Sequence, residues 1–242
     1  LLLLPLTIFT AAVSHSAASG APPLPGGAVV LAFGDSLTHG TGAAPQESYP
    51  AVLARLIGRR VVNEGIPGET SGEGLARLPE VLERQKPALL LLCLGANDLL
   101  RGMDMRQAAD NLRAMIRIAR GRRTAVVLLA VPLLGITLSE EPLRIEIATE
   151  EGRAIIEVPS PGLTLRPAPI YREIGREMGL PVEEQALTAI LADGSLRSDP
   201  IHPNAAGYRR LAEAIASLLR AGGFIEDPAM PPAPGLPAPA RR

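Results

Sequence analysis

The chain has 242 residues, 47% of them hydrophobic and 20% charged, with a formal net charge of −1; it is long enough for one or two domains with a sizeable core and too apolar to be disordered throughout. The near-zero charge and the 2% aromatic content argue against a nucleic-acid partner, which is met by a basic surface and stacking rings. A single cysteine, Cys93, excludes an internal disulfide framework, and with only His15, His39 and His202 a multi-histidine metal site is hard to build.

Residues 1–13 are nearly all apolar and residues 14–21 are small, which is the pattern of a secretory signal peptide without its charged leading region. The alternative is an uncleaved anchor, but the apolar run is shorter than the ~20 residues a span requires, and Pro5 interrupts it. Residues 1–21 are therefore read as a signal peptide. The location this predicts is periplasmic or secreted, with no stable membrane insertion. At the other end, Pro and Ala dominate residues 226–242, which are read as a disordered tail or as a Pro-rich ligand for a partner.

Between these ends, over residues 27–225, apolar runs alternate with amphipathic stretches. The runs at 28–33, 60–63, 88–94, 124–131 and, more weakly, 180–182 hold apolar residues side by side rather than alternating with polar ones. That suits parallel strands covered on both faces. Helical spacing marks residues 49–57, 72–85, 105–120, 170–178 and 204–220. The alternation predicts a doubly wound α/β sandwich. One segment departs from it. Residues 143–149 alternate apolar and charged, 150–153 carry turn chemistry, and 154–158 are apolar again. This predicts a β-hairpin at about 140–160, inserted after the fourth strand. It leaves the carboxyl end of that strand, where open α/β sheets bind ligands, and so reads as a lid or substrate wall, or as an antiparallel addition or dimer contact.

The candidate chemistry gathers where strands end. Ser36 follows Gly34 and Asp35 at the end of the first strand; a serine needs a base to become a nucleophile. His202, three residues after Asp199 in the loop before the last helix, is such a base, with a carboxylate able to orient it. Asn97, after the third strand, is either an oxyanion donor or a helix N-cap. Gly68, after the second strand, offers a backbone N–H in a tight turn or is an ordinary turn glycine.

The blocks Phe33-Gly34-Asp35-Ser36, Asn63 through Gly65 to Gly68, Gly95-Ala96-Asn97-Asp98 and Asp199-Pro200-Ile201-His202 together resemble the SGNH hydrolases, also called GDSL esterases or lipases, over most of the chain. Runs 74–79 and 97–102 resemble in particular the bacterial periplasmic acyl-CoA thioesterase/lysophospholipase and arylesterase branch. The resemblance implies a three-layer α/β/α sandwich around a parallel five-stranded, flavodoxin-like sheet. It implies Ser36 as nucleophile, His202 as general base and acid, Asp199 as its orienting partner, and an oxyanion hole of the Ser36 and Gly68 N–H groups with the Asn97 amide. Asp35 and Asp98 are expected to support loop geometry, and His39, which is not a family catalytic position, to be local and partly exposed. No metal and no cofactor is implied.

The expected function is hydrolysis of carboxylic esters or thioesters through an acyl-enzyme, on a small-molecule acyl substrate. A carbohydrate O-acetylesterase and a catalytically silent α/β binding domain are the alternatives. The inserted hairpin departs from the family pattern and leaves the substrate range open, while Pro200, a second departure, restricts Asp199 towards an extended backbone and is read as fixing the loop without harming the dyad.

Overall fold

The computed structural model describes residues 23–138, 143–149, 152–158 and 161–226. The expected signal peptide and the expected tail beyond Glu226 lie outside the described residues. In chain order the strands are β1 (Val29–Gly34), β2 (Arg60–Gly65), β3 (Leu89–Cys93), β4 (Ala125–Leu129), β5 (Pro132–Leu138), β6 (Leu143–Thr149), β7 (Gly152–Val158), β8 (Pro161–Pro167) and β9 (Val182–Glu183). The helices are α1 (Ser36–His39), α2 (Tyr49–Ile57), α3 (Ser71–Gln85), α4 (Ala96–Leu100), α5 (Met105–Gly121), α6 (Pro169–Met178), α7 (Ala186–Ala192) and α8 (Ala205–Ala221).

A parallel five-stranded sheet in the order β2-β1-β3-β4-β9 forms the centre. Its inner strands are the apolar runs of the sequence. Val30 to Phe33 and Leu89 to Cys93 have no accessible surface, because helices cover both faces and leave no solvent side on which a polar residue could alternate. Helix α2 packs on α8, which also meets α7, while α3 packs on α5, which meets α6. The two groups form the outer layers. Each turns one stripe inward: Ala108, Leu112, Met115 and Ala119 on α5, and Leu211, Ile215 and Leu219 on α8 are buried at helical spacing. The expected three-layer α/β fold is the one observed.

The fifth strand and one helix differ from the sequence reading. The fifth strand is Val182–Glu183 rather than 180–182. Pro181 has no N–H to give a ladder and enters only through its carbonyl, which accepts from Leu128 N at 3.1 Å. Helix α7 carries buried Leu187, Ile190 and Leu191, too short a periodic run to stand out.

The insertion is longer than a hairpin. Strands β6 and β7 pair antiparallel, Leu143 opposite Val158 and Thr149 opposite Gly152, as the alternation predicted. Below them β5 and β8 also pair antiparallel, from Pro132 opposite Pro167 to Leu138 opposite Pro161. Three prolines and two glycines in those two strands hide their strand character from propensity. The arm thus springs directly from the carboxyl end of β4.

Candidate active site

The first strand runs into the site through a position that only glycine fills. A Cβ on Gly34 would lie 2.2 Å from the Cys93 carbonyl oxygen and 2.4 Å from Thr38 Oγ1. The close approach lets the chain turn at once into α1, whose first residue is Ser36. Asp35 caps that helix, its Oδ1 accepting from Leu37 N at 3.0 Å.

The loop before α8 is folded around its own aspartate. Asp199 Oδ1 accepts from the N–H groups of Ile201 and His202, both at 2.9 Å, the local bonding that makes aspartate a turn former. Its other oxygen, Oδ2, faces His202 Nδ1 at 2.7 Å, and His202 Nε2 lies 3.0 Å from Ser36 Oγ. Burial works against the Asp199 charge, but the hydrogen bonds from the His202 ring and the Ile201 and His202 backbone hold its carboxyl below the usual range. An ionised Asp199 only accepts, so Nδ1 carries a proton and the Nε2 lone pair is left for the serine hydroxyl. Ser198 N donates to the His202 carbonyl at 2.9 Å, and Asn204 caps α8 through Gly207 N. The His202 side chain is 14% exposed and that of Asp199 45%.

Gly68 sits in the loop after β2 with φ +84°, a left-handed conformation that favours glycine. Arg101 Nη2 donates to its carbonyl at 2.7 Å. Gly95 enters α4 with φ +116°, and a Cβ there would lie 2.5 Å from the Tyr171 hydroxyl, which itself donates to the Leu94 carbonyl at 2.6 Å. Gly95, not Asn97, is the N-cap of α4, which removes the capping alternative for Asn97. Its Nδ2 instead donates to the Glu69 carbonyl at 3.0 Å and to Asp35 Oδ2 at 3.3 Å. Ser36, Gly68, Asn97 and His202 all line one cavity of about 220 Å³, with Leu37, Thr41, Pro67, Ala96, Leu100 and Ile201. Leu100 and Ile201 are 61% and 43% exposed, so the rim is apolar.

Acidic groups underlie the cavity. Burial first, and then the charges of Glu69 and Asp98, push the Asp35 carboxyl up to about 7 despite the hydrogen bond from Leu37 N. Glu69 is paired with Arg77 at 2.7 Å, and that guanidinium lies 4.1 Å over the Phe33 ring. Asp98 is bound to Ser71, and Asn111 Nδ2 donates to the Ser71 hydroxyl at 2.9 Å. His39 is exposed at the end of α1 and lines no part of the cavity. Arg101 and Ser71 were not singled out in the sequence. Neither has a local signal, because their partners are 33 and 27 residues away. Among the described residues no group of three or more His, Cys, Asp or Glu is placed to hold a metal ion. A more open depression of about 320 Å³ between α6 and β9 is lined by Arg172, Arg176, Glu184 and apolar neighbours; it contains no nucleophile beside a base.

The profile of the GDSL-like lipase/acylhydrolase family matches residues 32–210. Esterase TesA of Pseudomonas aeruginosa is 40% identical over 109 residues, 43% of this chain and 54% of that protein. Thioesterase 1/protease 1/lysophospholipase L1 of Escherichia coli K12 is 35% identical over 106 residues, 43% of this chain and 51% of that protein. The chain thus spans about half the length of the curated relatives it matches. Among solved structures, a crystal structure of TesA superposes with a TM-score of 0.62 at 28% identity, covering 79% of this chain and 98% of that one. AlinE4, described as an SGNH-hydrolase family esterase, superposes with a TM-score of 0.52 at 27% identity over 80% of this chain and 95% of its own.

Proposed function

This chain belongs to the GDSL-like lipase/acylhydrolase family, and from that membership we propose that it is a serine hydrolase of acyl esters or thioesters. The observation that carries the proposal is the continuous hydrogen-bonded series Ser36, His202, Asp199 beside a cavity that Gly68 and Asn97 also line. A serine hydroxyl within reach of an imidazole whose far nitrogen is held by a carboxylate is the arrangement that nucleophilic acyl transfer requires.

In this reading Ser36 Oγ adds to the substrate carbonyl while His202 Nε2 takes its proton. The Asp199 charge stabilises the imidazolium. Negative charge then develops on the carbonyl oxygen, toward the N–H groups of Ser36 and Gly68 and the Asn97 amide. One such donor is worth about 3–4 kcal/mol in the transition state. Collapse of the tetrahedral intermediate expels the alcohol or thiol, with the His202 proton available to an alkoxide. Water then enters, gives its proton to His202 and releases the acid from the acyl-enzyme.

The apolar rim at Leu100 and Ile201 supports an acyl group as the bound portion, and the arm at the carboxyl end of β4 is assigned to the substrate wall. The finer activities named for the relatives, thioesterase, lysophospholipase and arylesterase, belong to this proposal, as does an exported location, which rests on the composition of residues 1–21. Among the described residues no helix is long and apolar enough to cross a membrane.

Burst release of p-nitrophenol from p-nitrophenyl acetate tests the reading. A burst of one equivalent, lost in Ser36→Ala and His202→Ala, is expected. Full activity in Ser36→Ala overturns the nucleophile assignment.

A further inference from the structure

The Asn97 amide nitrogen carries two hydrogens, and each has an acceptor in this structure: the Glu69 carbonyl at 3.0 Å and Asp35 Oδ2 at 3.3 Å. The two ends of an asparagine amide are nearly the same shape, so the partners decide which end goes where. Turned over, Asn97 would set its oxygen against a carbonyl and a carboxyl. Asp35 has no accessible surface, and its other oxygen is engaged by Leu37 N at 3.0 Å, so Oδ2 is not free to swing aside. Asp35 is also the residue before Ser36. One buried side chain therefore ties the start of the nucleophile helix to the amide.

We propose that Asp35 is a positioning residue that acts through Asn97, holding the amide with its nitrogen toward Ser36 and giving up its own hydrogen bond when an oxyanion forms there. The inference rests on the hydrolase reading of the site. The hydrogen count decides the sequence of events. With both N–H groups engaged, one must be released before the oxyanion can be bound. The longer bond, to Asp35, is the one that yields, while the 3.0 Å bond to Glu69 keeps Nδ2 in place. Asp35 is suited to lose a donor. The charges that act on it, from Glu69 and Asp98, are acidic, and burial already favours its neutral form, with a pKa of about 7, so the loss of one donor costs it little.

A double-mutant cycle with Asp35→Asn and Asn97→Ala tests this. Wild type is first treated with a p-nitrophenyl alkylphosphonate to label Ser36, and kcat and KM are then measured on a p-nitrophenyl ester for every variant. Asn97→Ala is expected to lower kcat ~10²–10³-fold, the loss of one oxyanion donor. Asp35→Asn is expected to lower kcat ~10–10²-fold with KM within ~2-fold, and the double variant to match Asn97→Ala within ~2-fold, since a residue acting only through Asn97 has nothing left to act on. If Asp35→Asn fails to fold, Asp35→Ser takes its place, because a serine still caps Leu37 N but is too short for Asn97. Losses that multiply in the double variant, or an Asp35 effect confined to KM, overturn the inference while leaving a labelled Ser36. A wild type that takes no label overturns the hydrolase reading and this inference with it.

Discussion

Asp98 and Ser71 share two hydrogen bonds, from Ser71 N to Oδ2 at 2.8 Å and from Ser71 Oγ to Oδ1 at 2.6 Å, across 27 residues of sequence. The contact joins the start of α3, just after the Gly68 loop, to the helix that carries Asn97. It sets the separation of two of the proposed oxyanion donors without touching the cavity. Asp98 is 2% exposed and Ser71 fully buried. Asp98→Ala strands the Ser71 N–H and loosens Asn111, and is expected to cost about 2–4 kcal/mol, the range for leaving buried partners of a charged hydrogen bond unsatisfied. Urea unfolding reads it as a lower midpoint at unchanged slope. A loss below ~0.5 kcal/mol, the range of ordinary surface substitutions, contradicts the tie.

Asp35 makes stability depend on pH in the direction opposite to a salt-bridged carboxylate. Its pKa rises from 3.8 to about 7 on folding, chiefly through burial. Between those values the folded state keeps a proton that the unfolded chain has released, so stability falls as pH rises through the window. At ~1.4 kcal/mol per unit the loss is on the order of 4 kcal/mol by pH 8. Unfolding midpoints from pH 4.5 to 8 are expected to decline, and the decline to flatten in Asp35→Asn. Asp199, held below the usual range, has the opposite sign: its contribution is present above its unfolded value and is lost as pH falls through its folded one.

Asp199→Asn separates orientation from charge. An asparagine keeps the turn bonds but can present an N–H to Nδ1, which selects the wrong imidazole tautomer. In a buried protease triad the equivalent loss is ~10⁴-fold in kcat. Here the carboxylate is 45% exposed, and solvent screens its charge and competes for its bonds. We expect a ~10²–10³-fold loss in kcat with little change in KM. An unchanged kcat rejects the role of Asp199.

Gly34 and Gly58 make a matched pair. Gly34→Ala drives a Cβ to 2.2 Å from the Cys93 carbonyl oxygen, whereas Gly58→Ala, at φ +60°, meets nothing within 4 Å. The first is a core collision, expected to cost ~3 kcal/mol or more. The second carries only the left-handed penalty of about 1–2 kcal/mol. Thermal midpoints of the two variants check the order.

The β5–β8 ladder ends with Leu138 opposite Pro161, so residues 139–160 can be replaced by Asn-Gly, a two-residue hairpin connection. The shortened protein is expected to keep its stability within ~0.5 kcal/mol and its turnover of p-nitrophenyl acetate, while its preference among acyl lengths from two to sixteen carbons shifts. An unchanged preference rejects the arm as a substrate wall.

The strands β1, β3 and β4 were legible because a sheet covered on both faces demands unbroken apolar runs, and α5 and α8 because each buries a single stripe. Strands β6 and β7 showed through their alternation. Strands β5 and β8 did not, since Pro132, Gly135, Pro161 and Pro167 obscure any strand propensity and only their mutual pairing makes them strands. Ser36, Gly68 and Asn97 stood out in the sequence as residue types at strand ends, and Asp199 and His202 in the loop before the last helix, yet their distances belong to the tertiary structure: Ser36 and His202 are 166 residues apart and meet because β1 and the loop before α8 reach the same edge. The bonds from Asn97 to Asp35, Arg101 to Gly68 and Ser71 to Asp98 left no trace in the sequence. Each joins residues 27 to 62 apart in sequence, a separation over which no periodicity operates. Sequence by itself determined which residue types stand at the carboxyl edge of the sheet. Packing alone decided which hydrogens they hold in common, because buried polar groups take whatever partners the closed fold brings within reach.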